Sequence, residues 1–137
     1  MKRVLHNGFT LLELMVAVVI LSILAAIAYP SYMNQVRETR RIDGKSAVLE
    51  VSMAEERYYT KNKAYTSTWS DLSINSTLKS GKSDKGYYKL TLTTSEDATT
   101  FTITATATGA QKDDTACATI SMNQRGEKTS TGGGQCW

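Results

Sequence analysis

The chain has 137 residues and a formal net charge of +3. This length fits one modest domain beside a short terminal segment. Two of the positive charges, Lys2 and Arg3, precede residue 9, and removing them from +3 leaves +1. The remainder therefore lacks the strong positive charge of a general nucleic-acid-binding domain. The one histidine, His6, also precedes residue 9, so a chain that began at Phe9 would lack the commonest general base and metal ligand.

An apolar segment covers residues 9–28, and Glu13 is the only charged residue in it. A helix of about 20 residues is about 30 Å long, which matches the hydrocarbon core of a bilayer. A carboxylate in such a span costs about 2.5–3.5 kcal/mol at the helix centre and less towards its end. The position of Glu13 therefore indicates a use for this charge.

Three interpretations of this segment follow from the residues. A secretory signal would use the basic residues 2 and 3 and the small residues at 26 and 28, but the apolar stretch exceeds the usual length of about 7–15 residues. A plain membrane anchor explains the length and gives Glu13 no purpose. Cleavage between Gly8 and Phe9 would instead leave the segment on the mature protein, with a cationic amine four residues before Glu13.

A resemblance supports the third interpretation. The sequence Gly8-Phe9-Thr10-Leu11-Leu12-Glu13-Leu14 resembles the class III signal of type IV prepilins. In that family a prepilin peptidase cuts after the glycine and methylates the new amine, which implies cleavage between Gly8 and Phe9 and N-methylation of Phe9. The rest of the chain resembles the PilE-like minor pilins in residues 57–59, in Tyr65, in the two alternating segments that follow it and in Cys136-Trp137.

The resemblance implies the type IV pilin fold, which is α+β. One long N-terminal helix packs on a roughly four-stranded antiparallel sheet, and a disulfide loop lies at the C-terminus. Residues 1–8 would be a removed leader, residues 9–29 a hydrophobic transmembrane and filament-core helix, and residues 30–137 a periplasmic or extracellular globular domain. The protein would span the inner membrane once, with its N-terminus in the cytoplasm, and later join an extracellular filament. The four basic residues within residues 37–45 oppose this orientation when Lys and Arg alone are counted.

Glu13 and Pro30 are the predicted assembly residues. In a low dielectric Glu13 gains most from pairing with a cation, and the family's partner is the Phe9 amine of a neighbouring subunit. The alternative is the Phe9 amine of its own chain, four residues back on the same helix. Pro30 lacks an N–H, so we expect either a kink near the membrane boundary or simply the end of the span.

One long helix is predicted from residue 9 to about residue 59. Ile42, Leu49 and Met53 are spaced seven and four apart on one helix face, which the small apolar residues at 47, 48, 51 and 54 widen. The basic residues between 37 and 41 are expected to contact phospholipid headgroups, a neighbouring subunit or only solvent.

Residues 64–86 have no sustained period and are predicted to form a long connection, held to the body by Tyr65, Trp69, Leu72 and Ile74. Alternating apolar residues then predict two antiparallel strands, in residues 87–92 and 101–107, around a turn near residues 95–98. A third strand is expected at residues 118–122. A short fourth strand at residues 127–130 follows a turn at residues 123–126.

Cys117 and Cys136 are the only cysteines. In an oxidising compartment they predict one disulfide, and two free buried thiols are the alternative. A disulfide would close a loop of about 20 residues, worth about 3 kcal/mol in the chain-entropy model. It would also fix Trp137 against the sheet.

The leading hypothesis is a structural subunit, a minor pilin that assembles into a type IV pilus through its hydrophobic helix. The family's functions are twitching motility, adhesion and DNA uptake. Its partners are other pilin subunits, the inner membrane, the prepilin peptidase and the pilus assembly platform. The alternatives are a pseudopilin of a type II secretion system and a DNA receptor on the pilus surface. No catalytic set, cofactor or metal site is predicted, because the mature chain has no histidine, phosphate-binding loop or nucleophile motif.

Five lysines are the candidate DNA contacts. They cluster in sequence around the long connection, where Tyr65 and Trp69 are available for stacking on bases. They are Lys61, Lys63, Lys79, Lys82 and Lys85.

Overall fold

A computed structural model of the protein describes residues 9–132 and 135–137. The predicted leader, residues 1–8, lies outside these described residues, and Gly8 with it. The described chain divides into two compact units, one that ends at Val36 and one that begins at Arg37.

A single helix, α1, extends over Leu11–Asn62 and confirms the predicted long N-terminal helix. The helix continues through Pro30, whose missing N–H leaves the carbonyl of Ala26 without its usual helical partner. Lys63 follows the helix with a left-handed φ of 59° and donates its amide to the carbonyl of Tyr59 at 2.8 Å. This bond satisfies one of the last carbonyls, and the left-handed backbone of Lys63 ends the helix.

Four antiparallel strands form one sheet in the order β1-β2-β3-β4. They are β1 (Tyr88–Thr94), β2 (Phe101–Ala107), β3 (Thr119–Asn123) and β4 (Lys128–Thr131). Leu90 lies opposite Ala105, and Ala105 opposite Ile120, so these residues share the inner face of the sheet. The four predicted strands and the α+β class are confirmed.

The core lies between α1 and the inner face of the sheet. Its helix side includes the predicted small residues Ala47, Val48, Val51 and Ala54, none more than 4% exposed. They fill the helix side of one continuous apolar cluster with the strand residues. The prediction is confirmed for this part of the helix face.

The larger apolar residues of that predicted face are outside the core. Ile42, Leu49 and Met53 are 62%, 39% and 55% exposed, so the three residues that define the predicted face are not part of the core. Gly44 gives the physical reason, because a Cβ there would lie only 2.9 Å from Cδ2 of Tyr88. The sheet approaches α1 on the face that has Gly44 and small side chains, and bulkier residues would hold β1 away.

The connection between α1 and β1 contains two short helical turns, which the sequence pattern did not predict. One is a 3₁₀ turn at Trp69–Asp71, and the other is α2 at Ser76–Lys79, capped by Asn75, which accepts a hydrogen bond from the amide of Leu78 at 2.9 Å. Leu72 is buried, and Tyr65, Trp69 and Ile74 pack against the core as predicted.

Asp114 lies between two 3₁₀ turns, Gly109–Asp113 and Thr115–Cys117, which connect β2 to β3. Arg41 donates from Nε and Nη2 to the two oxygens of Asp114 at 2.7 and 2.8 Å. Gln111 donates to the same carboxylate at 3.0 Å and to the carbonyl of Arg37 at 3.1 Å. Arg41 therefore forms an ion pair inside its own unit, so the alternative that it contacts only solvent is wrong for this residue.

A disulfide joins Cys117 to Cys136, with 5.6 Å between their Cα atoms, and confirms the predicted C-terminal disulfide loop. Gly132 approaches the 3₁₀ turn so closely that a Cβ would collide with the carbonyl of Thr115. Beyond the bond, Trp137 packs against the core and donates from Nε1 to the carbonyl of Thr129 at 3.1 Å. Trp137 is thus fixed beside β4, and its predicted packing is confirmed.

Candidate functional site

The first unit presents an apolar helix surface. Every residue from 9 to 32 is exposed, including Phe9 at 73%. By length and composition, this part of α1 is suited to cross a membrane. Because the hydrophobic effect disfavours so much exposed apolar surface in water, this surface requires lipid or other protein chains around it.

Thr10 fixes the start of α1 and the place of Glu13. The amide of Glu13 donates to Oγ1 of Thr10 at 3.2 Å, and the Thr-x-x-Glu spacing is that of a capping box. Glu13 therefore lies in the first turn, where the partial positive charge of the helix end favours a carboxylate. Its predicted pairing with the Phe9 amine requires cleavage before Phe9 and stays a prediction.

Arg57, Lys61 and Lys79 form a first basic group, which we call the helix-end group. Arg57 and Lys61 are four apart on α1 and line one groove of about 360 Å³. Asp71 and Ser73 also line this groove. Arg57 donates to the carbonyl of Ser73 at 3.4 Å, and Lys79 donates to the carbonyl of Ser70 at 3.3 Å, which brings Lys79 to the same segment.

Lys82, Lys85 and Lys89 form a second basic group, which we call the turn group. Lys82 pairs with Lys89 in an isolated antiparallel bridge beside β1, and both line a groove of about 370 Å³. Lys85 lies in the turn between them. All three are exposed. Arg57 and Lys89 were not among the candidate DNA contacts predicted from the sequence. The four-residue spacing of Arg57 and Lys61 on one helix was a signal that could have identified Arg57.

The segment from Lys61 to Lys89 carries a local excess of positive charge. It contains six lysines and two acidic residues, Asp71 and Asp84. Of the six, Lys63 alone belongs to neither group, and it is exposed at the end of α1. The local sign of charge suits a polyanion even though the chain's net charge is small.

The two aromatic residues predicted to stack on bases are engaged in packing. The ring of Tyr65 lies 4.6 Å from that of Tyr59 and 4.8 Å from that of Phe101, between centroids. Trp69 packs partly buried against the core. Both rings therefore help to hold the connection to the core, and their stacking on bases stays a prediction.

Asp43, on the buried face of α1, holds the turn that carries Lys85. Its Oδ2 accepts hydrogen bonds from Oγ of Ser83 at 2.5 Å and from the amide of Tyr87 at 3.3 Å. Its Oδ1 accepts from the amide of Lys85 at 3.0 Å. The Ser83 hydroxyl is in turn 3.0 Å from the amide of Tyr88, so the helix, the turn and the start of β1 are joined.

Glu55 is a fully buried carboxyl group on the same helix. Its Oε2 accepts a hydrogen bond from the amide of Thr66 at 3.1 Å, while its Oε1 has no partner. Burial raises the pKa of Glu55 to about 7, the Thr66 amide opposes this rise, and the carboxylates of Glu56 and Asp71 add to it.

Within residues 9–132 and 135–137, no group of His, Cys, Asp and Glu side chains could hold a metal ion.

A family model described as "Type IV minor pilin ComP, DNA uptake sequence receptor" matches residues 30–121, about two-thirds of the chain. The chain belongs to this family of type IV minor pilins. A second model, the prokaryotic N-terminal methylation motif, matches residues 5–29. The two matches meet at Pro30, and the minor pilin match includes both basic groups.

Relatives of this minor pilin include pseudopilins and a major pilin. It is 40% identical over 68 residues to the type II secretion system core protein G of Pseudomonas aeruginosa, covering 50% of this chain and 48% of that protein. It is 33% identical over 88 residues to core protein G of Klebsiella michiganensis, covering 64% and 62%. For the type IV major pilin PilA of Myxococcus xanthus the identity is 31% over 61 residues, covering 44% and 28%. The matched part thus spans less than two-thirds of each of these relatives.

A solved type IV pilin from Shewanella oneidensis has the same fold as this minor pilin. The two chains are 26% identical with a TM-score of 0.54, and the match covers 74% of this chain and 97% of the other. The type IV pilin fold inferred from the sequence motif is thereby confirmed.

Proposed function

We propose that this minor pilin is a structural subunit of a type IV pilus, which assembles through the apolar part of α1. The observation that carries the proposal is that every residue from 9 to 32 is exposed, although most of these side chains are apolar. The same helix surface can then contact lipid before assembly and other helices after it, because Leu, Ile, Val and Met side chains pack equally well against both. This subunit would support pilus biogenesis and so contribute to twitching motility, adhesion or DNA uptake.

The proposed life cycle has two locations. Before assembly the chain spans the inner membrane once, with its N-terminus in the cytoplasm and its disulfide-bonded unit in the oxidising periplasm. The prepilin peptidase cuts between Gly8 and Phe9 and methylates Phe9. The assembly platform then moves the subunit into the extracellular filament, where Glu13 pairs with the Phe9 amine of a neighbouring subunit. The match of residues 5–29 to the methylation motif supports the cleavage and methylation step of this proposal.

Replacement of Glu13 tests the assembly proposal. We expect Glu13→Ala to leave processing intact, which the mass of a methylated N-terminal Phe9 peptide reports. We expect the amount of this subunit in sheared pilus fractions to fall about tenfold or more, because a buried unpaired amine costs several kcal/mol. Glu50→Ala, with the same charge change on the same helix, is the matched control. A normal amount of the Glu13→Ala subunit in filaments would refute the pairing of Glu13 with the Phe9 amine, whereas absence of the wild-type subunit from filaments would refute the assembly proposal.

The runner-up function is a pseudopilin of a type II secretion system. The identities to core protein G support it, since they are as high as those to any pilin named above. The C-terminal loop closed by Cys117 and Cys136 favours the pilus, because the resemblance to type IV pilins implies such a loop. Complementation separates the two: restored piliation of a deletion strain supports the pilus, and restored protein secretion without piliation supports the pseudopilin.

We further propose that the second unit binds double-stranded DNA through the helix-end and turn groups. Support comes from the six lysines against two acidic residues between Lys61 and Lys89, and from a family description that names a DNA uptake sequence receptor. Each phosphate contact releases counterions, so the logarithm of the affinity would fall by about 0.9 per contact with the logarithm of salt concentration. Six contacts predict a slope of about −5.

Gel-shift titration of the mature chain in detergent micelles tests this proposal. Duplexes of several sequences are titrated at two salt concentrations, and Lys82→Gln with Lys89→Gln is compared with the matched pair Lys112→Gln and Lys128→Gln. We expect only the first pair to lower the affinity and to make the salt slope less steep by about 2. Absence of binding at low salt would end the DNA hypothesis and leave the assembly proposal intact.

A further inference from the structure

Asp43 has an unusual position for a charged residue. It lies on the face of α1 that packs against the sheet and is only 7% exposed. A buried carboxylate is costly unless hydrogen bonds replace its water. The replacing donors all belong to one turn: the Ser83 hydroxyl and the amides of Lys85 and Tyr87.

These contacts determine where the turn lies. Ser83 is itself fully buried, and its hydroxyl also lies beside the backbone of Tyr88. The amide of Gly86 donates to the carbonyl of Ser83 at 2.9 Å, which closes the turn. Backbone amides that converge on one anion form a rigid concave arrangement. The exposed charged side chains at this turn are Lys82, Asp84 and Lys85.

We propose that Asp43 is a positioning residue, which holds the turn at residues 83–87 so that Lys82, Lys85 and Lys89 present their ammonium groups together to DNA phosphates. This inference rests on the proposed DNA binding of the same lysines. A long lysine side chain gains little from a phosphate if its backbone must first be ordered, because that ordering lowers the apparent affinity. Asp43 holds the backbone of this turn in one conformation before DNA binds.

The direction in which Asp43→Asn changes the affinity for DNA distinguishes a positioning role of Asp43 from an effect of its charge. If Asp43 acted through its charge alone, Asp43→Asn would remove a negative charge beside three lysines and strengthen DNA binding. If Asp43 positions the turn, the same change weakens binding, because the new amide nitrogen cannot accept the hydrogen bonds of a carboxylate oxygen. We expect the affinity of Asp43→Asn to fall about fivefold and its salt slope to become less steep by about 1–2.

Asp84→Asn is the matched control, since it removes the same charge from the same turn. Asp84 is exposed and accepts a hydrogen bond from Nδ2 of Asn75 at 3.1 Å. We expect this variant to bind DNA as well as the wild type or slightly more tightly. Ser83→Ala changes no charge and removes the hydroxyl between Asp43 and β1, so we expect it to weaken binding as well. It decides the test if Asp43→Asn does not fold.

Amide hydrogen exchange completes the design with a measurement that needs no DNA. Exchange of the Lys85 and Tyr87 amides should quicken in Asp43→Asn and Ser83→Ala and stay slow in Asp84→Asn. Equal strengthening of DNA binding by Asp43→Asn and Asp84→Asn would overturn the positioning role and leave the DNA proposal standing. Lack of DNA binding by the wild type, with slow exchange at both amides, would instead refute the DNA proposal and with it this role. Unchanged DNA binding by Ser83→Ala would also overturn the positioning role.

Discussion

Replacing Glu55 by Gln should change how the stability of the globular unit depends on pH. Glu55 is fully buried, and burial raises its pKa from 4.5 to about 7. Between these values the folded protein keeps a proton that the unfolded chain has released. The free energy of unfolding must therefore fall as the pH rises from about 4.5 to about 7, and then level off.

The size of this effect follows from the two pKa values. If the pKa of Glu55 rises from 4.5 to about 7 on folding, the free energy of unfolding is lower at pH 8 than at pH 4.5 by at most about 3 kcal/mol. Glu55→Gln has no proton to lose, and its amide oxygen can still accept the hydrogen bond from the Thr66 amide. The amide nitrogen would then occupy the place of the unpartnered Oε1, at a constant cost of about 1–3 kcal/mol that does not vary with pH.

Urea unfolding of the mature, oxidised chain in detergent measures the effect, with fluorescence of Trp69 and Trp137 as the signal from the globular unit. The difference in unfolding free energy between Glu55→Gln and wild type cancels the other titrating groups. We expect the unfolding free energy of the variant, relative to that of the wild type, to increase by up to about 3 kcal/mol between pH 4.5 and pH 8. Glu50→Gln, a more exposed carboxyl on the same helix, should show no such change. A difference that is the same at both pH values would refute the reasoning.

Two further predictions concern the packing of α1. Arg41→Ala should lower the unfolding free energy by about 3 kcal/mol, because it leaves the buried Asp114 carboxylate without its cation. Arg40→Ala, which loses a cation–π contact with the Tyr87 ring, should cost less than about 1 kcal/mol. Equal losses in urea titrations would contradict this. Gly44→Ala should cost about 1–3 kcal/mol despite the better helix propensity of Ala, because the new Cβ would lie 2.9 Å from the Tyr88 ring. Thermal unfolding checks the second prediction, which an unchanged or higher melting temperature would contradict.

Buried polar contacts join α1 to the sheet region in two places. Asp43 binds the turn before β1, and Arg41 binds Asp114 in the connection after β2. Because each pair has its own geometry, a shift of the helix along its axis would leave two charged groups buried without partners. Such contacts add little net stability over apolar packing, but they specify one register of helix and sheet.

The amino-acid sequence alone determined the elements whose signals are local. The unbroken apolar run with one carboxylate predicts the exposed helix, alternation predicts the strands, and two cysteines in an oxidising compartment predict the disulfide. Each of these follows from neighbours within a few residues or from a count, so no knowledge of distant contacts is needed.

Only the tertiary structure decided which face of α1 is buried and which charges meet. Periodicity places Ile42, Leu49 and Met53 on one face, but the approach of Tyr88 to Gly44 selects another. Arg41 and Asp114 are 73 residues apart, and Asp43 is 42 residues from the amide it binds at Lys85. A side chain's partner across such distances depends on how the sheet packs on the helix, and no local pattern of residue types encodes that choice.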